Sequence, residues 1–205
     1  MSLQKRDLQT RLASQGVLTA SRVACSDVQA VTLMAQGEKL DLLVEEYAKQ
    51  VDLQADVVES SHAFSSQAND FALASLRAAR RVANEAAEPL LVAAELNGVD
   101  LNDYSAVLQQ VTTEGADFVI QSCLQSKDAA LSFLKAAAKA GVPAVLSLDQ
   151  AAVVASGESA VELAQTLYQA GAAAVGVVGY IGPQNTEAVS GHYWITDKRG
   201  SLYIH

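Results

Sequence analysis

Cysteine is scarce in this sequence: Cys25 and Cys123 are the only two in 205 residues, and they lie in unrelated segments. Two cysteines so placed make no disulfide framework, which fits a reducing compartment and a cytoplasmic location. There are only 3 prolines and 12 glycines, which excludes a collagenous or low-complexity chain. Basic residues are also short, 14 against 23 acidic ones, for a net charge of −9. That balance argues against nucleic acid and anionic membrane as partners, because both need clustered cations. No apolar run approaches the ~18 residues that a transmembrane helix needs. The opening "MSLQKRDLQTRLASQG" is charged and amphipathic and lacks the apolar centre of a signal peptide.

Apolar residues make up 50% of the chain, enough for a sizeable core, while aromatics are only 5%. Alanine fills the gap in runs such as "KAAAKAG" and "AGAAAVG", which suits close packing of helices on a sheet. Short apolar runs alternate with longer helical patterns. "GVLTASRVA" is a weak first strand, and "ADVVES", "PLLVAAEL", "ADFVIQS", "VPAVLSL" and "AAAVGVVG" are five more. Between them lie "EKLDLLVEEYAKQV", "DFALASLRAARRVANEAA", "NDYSAVLQQVTTEG", "SKDAALSFLKAAAKAG" and "SGESAVELAQTLYQAG", with apolar residues at helical spacing. Ser126 is a plausible N-cap, as are Ser156 or Ser159; Gly115, Gly141 and Gly171 stand where helices should stop.

The strands are continuous and β-branched rather than alternating, the mark of strands covered on their faces in a parallel sheet. Strict strand–helix alternation calls for an α/β fold. A Gly-Ala-Asp/Ala turn recurs in "QADVVES", "EGADFVIQS" and "AGAAAVGVV", at intervals of about two strand–helix units. The expectation is a single domain over residues 1–205. Its first-choice architecture is a (β/α)8 TIM-barrel-like fold, and the alternative is an open doubly wound sheet. The barrel looks incomplete: about six βα units, then "HYWIT" and "SLYIH" around "DKRG", a hairpin signal. Six strands alone would leave sheet edges uncovered, so the hairpin, a second copy or another subunit should cover them. The basic run "LRAARRVANE", with Arg77, Arg80 and Arg81, reads as a solvated helix face.

Several segments carry a family resemblance. "LLVEEYAKQVDLQADVVESSHAF", "LLVAAELNG", "YSAVLQQVTTEGADFVIQSC", "AGVPAVLSLDQ" followed by "ASGES", and "AGAAAVGVVGYIGP" occur in this order from about Leu8 to Gln184. The series resembles the homocysteine-binding barrel of the homocysteine S-methyltransferases, most closely the first module of cobalamin-dependent methionine synthase. The resemblance implies a barrel that carries homocysteine as a zinc thiolate, a good nucleophile at neutral pH. In that family zinc is held by three cysteines, one in "GVNC" and an adjacent pair near the C-terminus. Here Gly179 stands at the cysteine of "GVNC", and the adjacent pair has no counterpart. The family's glycine-rich "DGAMGT" loop is replaced by "SRVACSD", and Gln121, followed by Ser122, stands where a Glu would bind the substrate ammonium. Glu59 of "ESSHAF" aligns with the Glu of "ETNTF".

These departures lead to the expectation of a degenerate barrel with no zinc site and no cofactor. It would bind an amino-acid-like small molecule, or serve as a structural subunit of a homo-oligomer or a complex with another protein. Glu59, Glu95, Gln121, Ser122, Asp149 and Gly179 would face one mouth of the barrel and line the ligand site. Two alternatives stay open. One is an active methyltransferase acting on homocysteine or a related thiol, with zinc ligands from a partner or a chemistry that needs none. It would draw on a methyl donor such as a methylcorrinoid, methylfolate, sulfonium or betaine. The other is an unrelated α/β enzyme using the strand-end carboxylates for acid/base work. A phosphate cradle at "GVVGYIGP" is disfavoured, because no Lys or Ser/Thr follows at P-loop spacing. His62, His192 and His205 have no clustered partners in the sequence and read as capping or surface residues.

Overall fold

In the computed structural model the described residues are 8, 10–11, 18–22, 40–52, 55–60, 69–88, 90–96, 104–124, 126–149, 156–178, 193–196 and 202–204. Strands and helices alternate in chain order: β1 (Leu18–Arg22), α1 (Leu40–Asp52), β2 (Val57–Glu59), α2 (Asn69–Glu85), β3 (Leu91–Leu96), α3 (Tyr104–Thr113) and β4 (Phe118–Leu124). Then come α4 (Lys127–Ala140), β5 (Ala144–Asp149), α5 (Ala160–Gln169), β6 (Ala174–Val178), β7 (Tyr193–Thr196) and β8 (Leu202–Ile204). The strands close into a barrel in sequence order. Each neighbouring pair from β1 to β7 is parallel, whereas β8 runs antiparallel to both β7 and β1.

The expected hairpin is therefore β7–β8, and it supplies the barrel's last two staves. Among the described strands no sheet edge is left open: β7 pairs with β6 through Val175–Tyr193 and Gly176–Trp194, and β8 reaches β1 through Leu18–Ile204 to Ala20–Leu202. Five residues separate Thr196 of β7 from Leu202 of β8, which fits an antiparallel eighth strand, because a parallel one would need a crossover of about a dozen residues.

Local chemistry sets the helix ends. Ser126 caps α4 by accepting from Ala129 N, and Ser159 forms a full capping box with Glu162 on α5. The hydrogen bonds from Ser159 hold the Glu162 carboxyl below its ordinary pKa. Three helices end on the same turn. Gly115, Gly141 and Gly171 have φ of 101°, 70° and 102°, where a side chain is strained. In each, the glycine and the next residue donate back into the last helical turn: Gly115 to Thr112 and Ala116 to Val111, Gly141 to Ala138 and Val142 to Ala137, Gly171 to Tyr168 and Ala172 to Leu167. The recurrent Gly-Ala-Asp/Ala phrase is thus the sequence form of a repeated helix-to-strand turn. Asp117 N then donates to Val92 O, and Ala173 N to Ala144 O, stitching each turn to the preceding strand.

The basic face of α2 does more than meet solvent. Arg80 is largely buried. Its Nη2 lies 2.5 Å from Asp117 Oδ2 and its Nε donates to Gly115 O at 2.8 Å. Asp117 Oδ2 also accepts from Val92 N at 2.8 Å, so one carboxylate joins α2, the α3–β4 turn and β3. Arg77 makes a two-pronged pair with Glu114, and Arg81 reaches Asp41 and Glu85; both arginines are exposed.

The core has two layers. Between helices and barrel lie residues such as Leu43, Leu76, Val92, Leu108, Phe133, Leu146 and Leu167. Tyr47 of α1 and Ser75 of α2 share a buried hydroxyl–hydroxyl hydrogen bond of 2.6 Å. Inside the barrel a second cluster joins Val57, Leu91, Ala93, Phe118, Ile120, Val145 and Ala174 with Leu8. Leu8 is fully buried and comes from outside the strand–helix repeat, and its side chain fills the floor of the barrel. Arg11 forms an ion pair with Asp56 at 3.0 Å. Among the described residues no helix is long and apolar enough to cross a membrane.

Candidate functional site

Alternation along the strands sorts side chains to the barrel interior or to the helix side. Val57, Leu91, Ala93, Phe118, Ile120 and Val145 are interior. Two residues on from them, the same faces carry Glu59, Glu95, Ser122 and Ser147. All four lie at the C-terminal ends of the parallel strands, the end where barrels of this kind place their sites. Glu59, Glu95 and Ser147 are at most 6% exposed. An apolar floor thus gives way to a polar mouth.

The best-defined contact of the mouth joins β3 to β4. Ser122 Oγ donates to Glu95 Oε1 at 2.5 Å. Ser60, fully buried just past β2, accepts from Glu95 N at 3.3 Å and donates its own N–H to Ala93 O at 2.9 Å. The backbone and side chain of Glu95 are thereby held from both neighbouring strands. Glu59 is the register partner of Ala93, two residues before Glu95. Strand spacing and rise place the two carboxylate-bearing Cα atoms about 8 Å apart.

Gln121 stands elsewhere. Its register partners, Leu96 and Leu146, both belong to the helix-side layer, so Gln121 is on that face. It is buried, its Nε2 donates to Ser122 O at 3.4 Å, and its Oε1 has no hydrogen-bond partner among the described residues. Asp149 ends β5 in register with Val178 and shares the alternation of Val145 and Ser147. Gly179 lies outside the described residues, as do His62, His192, His205 and Cys25.

Ala20 of β1 pairs with the interior residue Val57, and Arg22 pairs with Glu59.

Above the mouth, Lys127 at the start of α4 and Glu158 just before α5 pair at 2.5 Å and tie two strand–helix loops together. A separate groove of about 460 Å³ lies between α3 and α4 on the outer wall, lined by Gln109, Thr112, Thr113 and Lys139 among others. It is away from the strand ends. Thr112 and Thr113 already bond their own helix, each donating to the carbonyl four residues back.

The zinc implied by the family resemblance does not fit these side chains. Three thiolates are required, and the chain has two cysteines. Among the described residues no group of three or more His, Cys, Asp or Glu is placed to hold a metal ion. The mouth offers carboxylates and hydroxyls, hard oxygen donors rather than soft sulfur.

With this geometry in place, the comparisons with known proteins show the fold. The structure is similar to the homocysteine methyltransferase MmuM from Escherichia coli, with a TM-score of 0.64 and 17% identity, over 89% of this chain and 78% of that one. It is also similar to a rubisco-like protein, MtnW, from Alicyclobacillus acidocaldarius, with a TM-score of 0.58 and 18% identity, over 88% of this chain and 47% of the other. The carboxyl transferase domain of Rhizobium etli pyruvate carboxylase aligns with a TM-score of 0.52 and 16% identity, over 76% of this chain and 30% of that one. No family model matches the sequence, and no curated protein sequence matches it. The likeness is therefore one of fold, shared with TIM-barrel enzymes that include a methyltransferase.

Proposed function

We propose that this protein is a degenerate relative of the homocysteine methyltransferase barrels that binds an amine-bearing, amino-acid-like small molecule at its mouth. Zinc-thiolate methyl transfer is not part of this reading. The observation that carries it is the contact between Ser122 Oγ and Glu95 Oε1, which fixes a buried carboxylate at a strand end. An ammonium group beside that carboxylate would pair with it through charge-assisted hydrogen bonds. The methyltransferase neighbour at 17% identity supports the kinship without fixing the chemistry.

The test is calorimetric titration of homocysteine and methionine into the protein in the presence of a chelator. The expected result is binding that Glu95→Gln weakens at least tenfold. Absence of binding, or an affinity indifferent to Glu95→Gln, would overturn the reading.

Assembly with a second copy or another subunit belongs to the same proposal. Sedimentation of the purified protein tests this: an oligomer is expected, and a monomer at all concentrations contradicts it.

A further inference from the structure

Three adjacent strand ends bring three polar side chains to the mouth: Glu95 on β3, Ser122 on β4 and Ser147 on β5. Ser122 Oγ donates to Glu95 Oε1 at 2.5 Å, and Glu95 N donates to Ser60 Oγ. A hydroxyl within hydrogen-bond reach of a carboxylate, itself positioned by a third group, is the arrangement of an activated nucleophile. Glu95 and Ser147 are buried, whereas Ser122 is partly exposed. The register of β4 against β5 also shifts between Gln121 and Leu124, the stretch that holds Ser122. Such irregularities re-aim side chains and are frequent next to active sites. From this juxtaposition we infer that the mouth carries an acyl-transfer centre for small neutral esters, with Ser122 as nucleophile, Glu95 as general base and Ser147 as a donor to the oxyanion. The inference goes beyond the binding reading and does not depend on it.

Ser122 Oγ forms a bond to the carbonyl carbon of the ester while its proton passes to Glu95, and the carbonyl π pair moves onto oxygen. Ser147 follows Leu146, the register partner of Gln121, so it sits beside Ser122 with Cα atoms about 5 Å apart. Ser122 is thus flanked by Glu95 on one neighbouring strand and by a hydroxyl donor for the developing oxyanion on the other. Collapse of the tetrahedral adduct breaks the bond to the alkoxide, which leaves with the proton held by Glu95. Water then attacks the acyl-serine and gives its proton to Glu95, which returns it to Ser122 Oγ. The products are a carboxylic acid and an alcohol. The surroundings favour a neutral substrate: Glu59 and Glu95 both lie buried at the mouth of a chain with net charge −9, which repels phosphate esters and other anions.

The probe is diisopropyl fluorophosphate, a neutral reagent that an activated serine attacks with loss of fluoride. The full chain is incubated with it, and mass spectrometry of the intact protein and its peptides locates the adduct. One adduct per chain is expected, on Ser122, and labelling should slow roughly a hundredfold or more in Glu95→Gln. Hydrolysis of p-nitrophenyl acetate should be lost in Ser122→Ala and fall about a hundredfold in Ser147→Ala. A wild-type protein that stays unlabelled at Ser122 overturns the inference without any variant having to fold. Labelling of Ser122 that is as fast in Glu95→Gln as in the wild type overturns it too, because the contact is then only structural. A labelled protein that binds neither homocysteine nor methionine keeps the inference and removes the amine-binding reading. Binding without labelling does the reverse.

Discussion

Ser122 Oγ donates to Glu95 Oε1 across 2.5 Å, joining β4 to β3 inside the mouth of the barrel. The bond holds the carboxyl group in one orientation and supplies it with a donor. Ser122→Ala removes the donor without refilling the space with a polar atom. The expected cost is about 1–3 kcal/mol, the penalty for leaving a buried acceptor short of a partner. Urea denaturation measures it, and Ser122→Thr, which keeps the hydroxyl, should lose less.

The three helix-ending glycines make an internal series. Gly171→Ala and Gly141→Ala meet no atom within 4 Å, so each should cost only the strain of a side chain at positive φ, about 1–2 kcal/mol. At Gly115 an added Cβ would lie 3.1 Å from both Cγ and Nε of Arg80. That arginine is tied to Asp117 and to Gly115 O and has little freedom to retreat. Gly115→Ala should therefore cost ~1 kcal/mol or more beyond the other two. Equal losses at all three positions would show that the crowding is relieved elsewhere.

The arginines of α2 should separate sharply. Arg80→Met strands Asp117 in a largely buried turn and should cost about 3–5 kcal/mol. Arg77→Met breaks an exposed pair with Glu114 and should cost no more than about 1 kcal/mol. Thermal melts of the two variants check the ratio.

Acid should weaken the fold in part through Glu114. The hydrogen bonds from Arg77 hold its carboxyl below the ordinary Glu value of 4.5. A folded-state pKa below the unfolded one adds stability at pH above that value, and the gain is lost as pH falls through the folded pKa. Melting temperature should thus drop as pH goes below 4.5, and less steeply in Arg77→Met, where that contribution is already gone.

Local signals were legible in the sequence, and nonlocal pairings were not. Gly115, Gly141 and Gly171 announced helix ends because a positive φ is a property of the chain itself. Ser126, and the pair Ser156 or Ser159, announced helix starts for the same reason; Ser126 and Ser159 are the caps, with partners three residues away. The hairpin was visible, but its role in closing the barrel depends on Ile204 meeting Leu18 across nearly the whole chain. Leu8 in the barrel floor was hidden similarly, because an amphipathic N-terminal segment does not say where its apolar side chains go. At the site, neighbours in sequence part company: Ser122 faces the mouth with Glu95, and Gln121 is on the helix side with Leu96 and Leu146. A one-residue step reverses the face of a strand, and only the register resolves it.

The central claim is that the mouth binds an amino-acid-like ligand through Glu95 without zinc. Native mass spectrometry of the purified protein, with homocysteine added in the presence and absence of zinc, tests it most directly. The account predicts one homocysteine per chain in zinc-free samples, with no increase when zinc is supplied. An adduct that forms only together with one zinc per chain would contradict it.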